Sequence, residues 1–216
     1  MKTSNAFSHF VSCAAGNFLA LLLVTSVAKA QPCPDSTWQE QQPQAYTIPN
    51  TNCILDLYFC QRDILNQFGV LLRREYYLWE VDVDPSSGGD CDSVQGDVLI
   101  RQGVDAMFMI YPLAADCESY SKVVSVYRKN CWRMFGQQAC ATCDPSRGVI
   151  FVPQLTGCDD APLCVKTCLV CYDRPHSINR TRDCTFSTDY GNGNPMRCAA
   201  LPPVWQLNTC YYISCE

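Results

Sequence analysis

The chain has 216 residues, a formal net charge of −5, and 17 cysteines against two histidines. An acidic balance without any Lys/Arg run gives no footing for nucleic acid or an anionic membrane as partner. With no internal repeat and no low-complexity tract, this length supports one domain with a sizeable core.

Residues 1–30 read as a secretory signal. Lys2 supplies a basic start, LALLLV (19–24) the apolar segment, and AKA (28–30) the small residues before a cut. The apolar run is too short and interrupted to span a ~30 Å hydrocarbon core. A cut after Ala30 gives a mature domain over 31–216, with an extended lead-in at 31–50 and a cysteine-dense half at 131–216. It removes Lys2 and Lys29 but no acid, so net charge falls by two to −7, and removal of Cys13 leaves sixteen cysteines. An even number fits eight bridges. The chain stops at CYYISCE (210–216), without an apolar tail or retention tetrapeptide. The expectation is therefore a secreted, extracellular protein with no membrane anchor.

Thiols in an oxidising compartment bond to one another. The expected partners are Cys33, Cys53, Cys60, Cys91, Cys117, Cys131, Cys140, Cys143, Cys158, Cys164, Cys168, Cys171, Cys184, Cys198, Cys210 and Cys215. Five lie in 31–130 and eleven in 131–216. Both counts are odd, so full pairing requires a bridge across residue 130.

In chain order, QPCPDSTWQEQQPQAYTIPN (31–50) predicts an extended lead-in tied down by Cys33. Asn50, Thr51 and Asn52 can cap a helix, and Cys53, Leu57, Cys60, Ile64 and Leu71 fall on one helical stripe. On a helix, Cys53 and Cys60 stand about 10 Å apart, too far to bond, so each needs another partner. YYLWEVDVD (76–84) alternates as a strand with an acidic outer face, and PSSGGDCD (85–92) is a turn. DVLIRQ (97–102) and DAMFMIYPL (105–113) read as a hairpin around Gly103. Cys117, Tyr120, Val124, Tyr127, Cys131 and Met134 follow helical spacing over 117–135. Beyond residue 136 the expectation is cysteine-held loops with one short helix near 161–171. The expected class is α+β and disulfide-rich: a few helices, a small antiparallel sheet and long cross-linked loops.

Chemistry-bearing patterns are few. Cys140-x-x-Cys143 and Cys168-x-x-Cys171 match zinc or redox spacing. Exported company and the lack of a nearby cation to hold a thiolate favour bridges instead. No G-x-S-x-G elbow, H-E-x-x-H helix or phosphate-cradling loop occurs, and His176 stands alone in DRPHSINRT. Paired carboxylates need only two acids, so a hydrolase stays open. Asp82, Asp84, Ser86, Asp90 and Asp92 place oxygens at alternate positions, as a calcium loop does, making Asp82, Asp84, Asp90 and Asp92 its candidate ligands. Ser87 and Ser93, however, stand where the turn glycine and bidentate glutamate belong. No cofactor is expected. Asn179-Arg180-Thr181 is a glycosylation sequon, which requires a surface loop. Trp132, Trp205, Tyr190, Tyr211 and Tyr212 are candidate contact aromatics, with core packing as the competing role.

Cys131, Cys140, Cys143, Asp144-Pro145, Gly148, then Pro162-Leu163-Cys164 and Cys168 resemble the cysteine core of the folate receptor-like family. The likeness covers about a fifth of the chain. It departs at Cys171, which comes sooner than the family's next cysteine, and in the absence of the tryptophan- and arginine-rich segments that grip a pterin. It implies a disulfide-braced helical scaffold with a cleft, and no binding residue is carried over.

These readings converge on a secreted, glycosylated, disulfide-stabilised binding protein whose ligand is a small molecule or an extracellular protein. A structural or adhesive extracellular protein and a carboxylate-using hydrolase are the alternatives.

Overall fold

The computed structural model describes residues 32–91, 94–110, 116–117, 121–139, 150–189, 198–201 and 205–216, with main chain alone at 88–90, 137–139 and 150–152. The strands are β1 (Gln39–Glu40), β2 (Gln44–Thr47), β3 (Ile54–Leu65), β4 (Leu71–Val83), β5 (Lys122–Lys129), β6 (Cys131–Ala139), β7 (Ile150–Gly157), β8 (Leu163–Asp173), β9 (Ile178–Asp189) and β10 (Tyr211–Tyr212). A 3-10 turn over Pro85–Cys91 and one α-helix, α1 (Gly96–Met107), follow β4. All these elements belong to one unit, Gln31–Glu216.

The sheet is a curled half-barrel organised around β4. Along one edge β4 pairs with β3. Along the other it pairs first with β5, in parallel over Arg73–Leu78, then with β7, antiparallel over Glu80–Asp82. The sheet therefore divides into a β5-β8-β9 arm and a β7-β6-β10 arm. β5 runs on into β6 through a corner at buried Asn130, whose N–H donates to Pro162 and whose carbonyl accepts from Ile213.

A parallel β4/β5 pair needs a long crossover, and the 3-10 turn and α1 supply it. Leu99, Ile100, Val104 and Met107 face the core against Leu55, Leu57, Phe59, Leu78, Val81, Val124 and Val126. Gly103 permits the close approach: a Cβ there would meet Leu57 and Val81 side chains at 3.2 Å. The opposite sheet face carries a smaller cluster of Trp38, Tyr77 and the Cys33–Cys60 bridge, with Tyr127 packed against it.

Several expectations are corrected. The chain is mostly sheet, not α+β with a few helices and a small sheet. The expected helix after Asn52 is β3. Leu55, Leu57 and Phe59 point inward with period two, while Cys60, on the outer face, is buried against Trp38 and Tyr77, so that burial on both faces mimics a helical repeat. In β4 a bulge at Trp79 does shift the phase, placing Tyr76 and Leu78 on the inner face and Tyr77 on the outer one. The expected hairpin around Gly103 is α1, where glycine serves packing rather than a turn. The expected helix over 117–135 is β5 and β6, in which β-branched VVSV alternates as Val124 and Val126 inward, Ser125 and Tyr127 outward. The short helix near 161–171 is β8, and the expected loops beyond 136 include β7, β8 and β9. The strand expected at 76–84 is present in β4 as far as Val83, and the lead-in is extended and tied by Cys33 to Cys60.

Among the described residues seven bridges are formed: Cys33–Cys60, Cys53–Cys91, Cys117–Cys171, Cys131–Cys198, Cys158–Cys210, Cys164–Cys215 and Cys168–Cys184. Cys117–Cys171 crosses residue 130, as the parity of the two halves requires. Cys53 and Cys60 do take different partners, though from a strand. Cys168 and Cys171 also part. Three residues along a strand is about 10 Å, beyond bridging reach, so this C-x-x-C is neither dithiol nor zinc pair. Cys131 opens β6 and Cys164 and Cys168 lie on β8, so the helical scaffold implied by the folate receptor-like resemblance is not what these residues build. Cys140 and Cys143 lie outside the described residues.

Candidate functional site

The inward positions of β5 read Val124, Val126, Arg128, so a cation follows two core valines on the same face. In register, Val126 faces Lys166 and Arg128 faces Cys164 on β8, while Lys166 faces Phe186 on β9. From above, α1 contributes Arg101, Val104 and Asp105, and the Cys164–Cys215 bridge draws the segment ending at Glu216 across the row. The result is a half-open cleft of about 130 Å³.

Arg128 is its floor. Only 4% of the residue is exposed, and its guanidinium donates to the carbonyls of Lys129, at 2.9 Å, and Ser214. Among the described residues no carboxylate forms an ion pair with it. Burial, reinforced by repulsion from Arg101, pulls its pKa down to about 10. It remains a cation at neutral pH.

The rim is mixed. Lys166 Nζ pairs with Asp105 at 2.6 Å and stands over the rings of Phe108 and Phe186. Arg101 donates to a main-chain oxygen of Glu216 at 2.5 Å and reaches Asp97 at 4.0 Å. The side chains lining the cleft thus comprise three cations, Arg101, Arg128 and Lys166, and two acids, Asp105 and Glu216. An uncompensated buried guanidinium attracts an anion most strongly where water is excluded. The volume is below the ~300 Å³ of a whole drug-sized site. It suits a carboxylate-, phosphate- or sulfate-sized group, or the head of a larger ligand. It is not the large apolar cleft that a small-molecule carrier would show.

The aromatic candidates from the sequence lie elsewhere. Trp132 is fully buried and donates its indole N–H to the Lys129 carbonyl at 2.6 Å. Tyr211 is buried against Trp205, with ring centroids 5.3 Å apart, and its hydroxyl accepts from the Gln206 N–H. Half-buried Trp205 also packs on Gly96. Tyr212 is exposed on β10, and Tyr190 lies outside the described residues. Packing, not a shared contact face, is what unites Trp132, Trp205 and Tyr211.

Asp82 lies opposite Asp56 on the outer face, where burial and then Asp84 push the Asp56 carboxyl up. Asp84 instead caps the 3-10 turn, its Oδ1 accepting from the Ser86 N–H at 2.7 Å. Asp92 and the Asp90 side chain lie outside the described residues, among which no three acidic, histidine or cysteine side chains gather as metal ligands. His176 sits exposed in the β8–β9 turn, 3.0 Å from Asp173. Burial alone would raise the Asp173 pKa, but bonds from His176 and Arg180 hold it below the usual range. Asn179 lies in β9, not in a loop, and is buried.

Reasoning from sequence passed over Arg101, Arg128 and Lys166, which are scattered along the chain. The one available signal was Arg128 at the third inward position of an alternating KVVSVYRK. Compared with known proteins, the chain matches no family model, no curated protein and no solved structure.

Proposed function

We propose that this is a secreted, disulfide-braced binding protein whose cleft receives the anionic group of a small ligand. One observation carries the reading: Arg128 is buried, with no carboxylate partner among the described residues, in a cleft that Arg101 and Lys166 also line. A buried cation is costly unless compensated, and an incoming carboxylate or phosphate compensates it. The seven bridges favour export, because such bonds persist in oxidising compartments. They also fix the cleft, since Cys164–Cys215 holds its wall in place.

The test is thermal unfolding of the oxidised protein with phosphate, sulfate, acetate or citrate, at ionic strength matched with sodium chloride. At a hundred times its dissociation constant, an anion adds about 2.7 kcal/mol and raises the midpoint by several degrees. Arg101→Ala and Lys166→Ala should each lower that response while leaving the fold intact. If none of the four anions exceeds the chloride control, the cleft is not an anion site.

A further inference from the structure

Two hairpins leave the sheet at the same end. β5 runs parallel to β4 and β8 antiparallel to β5, so the β3–β4 tip, the start of β5 and the β8–β9 turn point the same way. Lys122 pairs with Val170, and Val170 with Thr181. Both turns project about four residues beyond that row, roughly 13 Å at strand spacing.

The first tip is rigid and apolar. Asn66 Oδ1 accepts from the N–H groups of Phe68 and Val70, each at 2.9 Å, and Gly69 supplies the positive φ of 76° that closes the turn. This fixed turn holds Phe68 78% exposed, with Leu65, Val70 and Leu72 each more than half exposed. Together they present on the order of 400 Å² of apolar surface, the size at which an exposed patch is often functional.

Three ion pairs around this end share an orientation, whereas in a fourth, Arg74–Asp63, the carboxylate is the more exposed member, at 32% against 19%. In Arg73–Glu75, Arg174–Asp116 and Arg180–Asp173 the cation is the exposed member and the carboxylate the sheltered one, at 44% against 0%, 75% against 23% and 56% against 12%. A chain without any basic run in its sequence therefore gathers outward-facing guanidiniums beside a projecting apolar tip. A stable protein interface needs roughly 800 Å² per partner with a well-packed core, about twice what this convex tip offers. A lipid surface needs only a small apolar wedge and nearby cations.

We infer that this end of the sheet docks on an anionic lipid bilayer. Phe68 and its apolar neighbours enter the acyl boundary, and Arg73, Arg174 and Arg180 lie against the headgroups. This surface is independent of the cleft, so either assignment can fail alone.

Flotation of the full oxidised chain with phosphatidylcholine vesicles, with and without 30% phosphatidylserine, tests the inference. Binding to the anionic vesicles should be at least ~10-fold tighter, weaken in high salt, and fall ~10-fold in Phe68→Ser. In Phe68→Trp, tryptophan emission should shift to the blue on those vesicles only. Equal or absent binding to both vesicle types overturns the inference, as does binding that Phe68→Ser leaves unchanged. Concentration-dependent self-association abolished by Phe68→Ser, without vesicle binding, assigns the tip to a second copy of the chain and overturns it too.

Discussion

Asn179 donates its side-chain amide to the main-chain carbonyl of Phe108 at 2.9 Å, from a position only 3% exposed. The bond ties β9 to the residue that ends α1. The same nitrogen is the atom a glycan would occupy, and the interior has no room for a sugar. The folded protein should therefore carry no glycan at Asn179 despite its sequon. Intact-mass measurement before and after enzymatic deglycosylation should agree. Asn179→Ala, which strands a buried carbonyl, should cost about 1–3 kcal/mol in chemical denaturation.

Gly103 illustrates packing overruling propensity. Alanine ordinarily stabilises a helix by about 1 kcal/mol relative to glycine. Here the added methyl would press at 3.2 Å on Leu57 and Val81, both fully buried and unable to swing aside. Gly103→Ala should lower the denaturation midpoint rather than raise it, by about 1–3 kcal/mol for an overpacked core.

Tyr77 gives the alkaline limb of stability. Burial, with a smaller contribution from Asp159, pushes its hydroxyl pKa up to about 12. The folded state therefore keeps the proton that the unfolded chain releases near 10. The stabilisation is complete below pH 10 and disappears as pH rises through about 12. A loss on the order of 2–3 kcal/mol is expected across that window. Burial also raises Tyr46, Tyr58 and Tyr127, so tyrosinate absorbance should show several tyrosines ionising late, and Tyr77→Phe should remove one of them and flatten this part of the profile.

Glu75 is fully buried on the outer face, yet it is served by Arg62, by Arg73 at 2.5 Å and by the Tyr127 hydroxyl at 3.0 Å. Trp38 covers Arg62 with its ring centroid 4.4 Å from the guanidinium carbon. Glu75→Gln removes the charge that holds both arginines. Because these reach solvent, the expected cost is moderate, about 1–3 kcal/mol. Tyr127→Phe should cost less, about 1 kcal/mol.

Sulfur chemistry was the most legible part of this chain. The odd count on each side of residue 130 required the crossing that Cys117–Cys171 provides. Secondary structure was legible only where alternation was unbroken, as at Val81, Asp82 and Val83. At Cys53, Leu57 and Cys60 both faces of β3 are covered, Cys60 by the outer cluster around Trp38, and burial on the two faces produced a spacing that a helix also satisfies. At Gly103 a residue typical of turns was selected by the side chains of another element, which no local window contains. The cleft was hidden for the same reason. Arg101, Arg128 and Lys166 are brought together only by the crossover helix and the β5/β8 register.

A bridged sheet whose cleft wall is held by sulfur is open to a direct check, non-reducing peptide mapping of the protein made by its native host. Expected are a mature chain beginning at Gln31 and the seven linkages from Cys33–Cys60 to Cys168–Cys184, including Cys164–Cys215 beside Arg128. Cys168 joined to Cys171, or Cys164 and Cys215 recovered as free thiols, would contradict both the fold and the cleft.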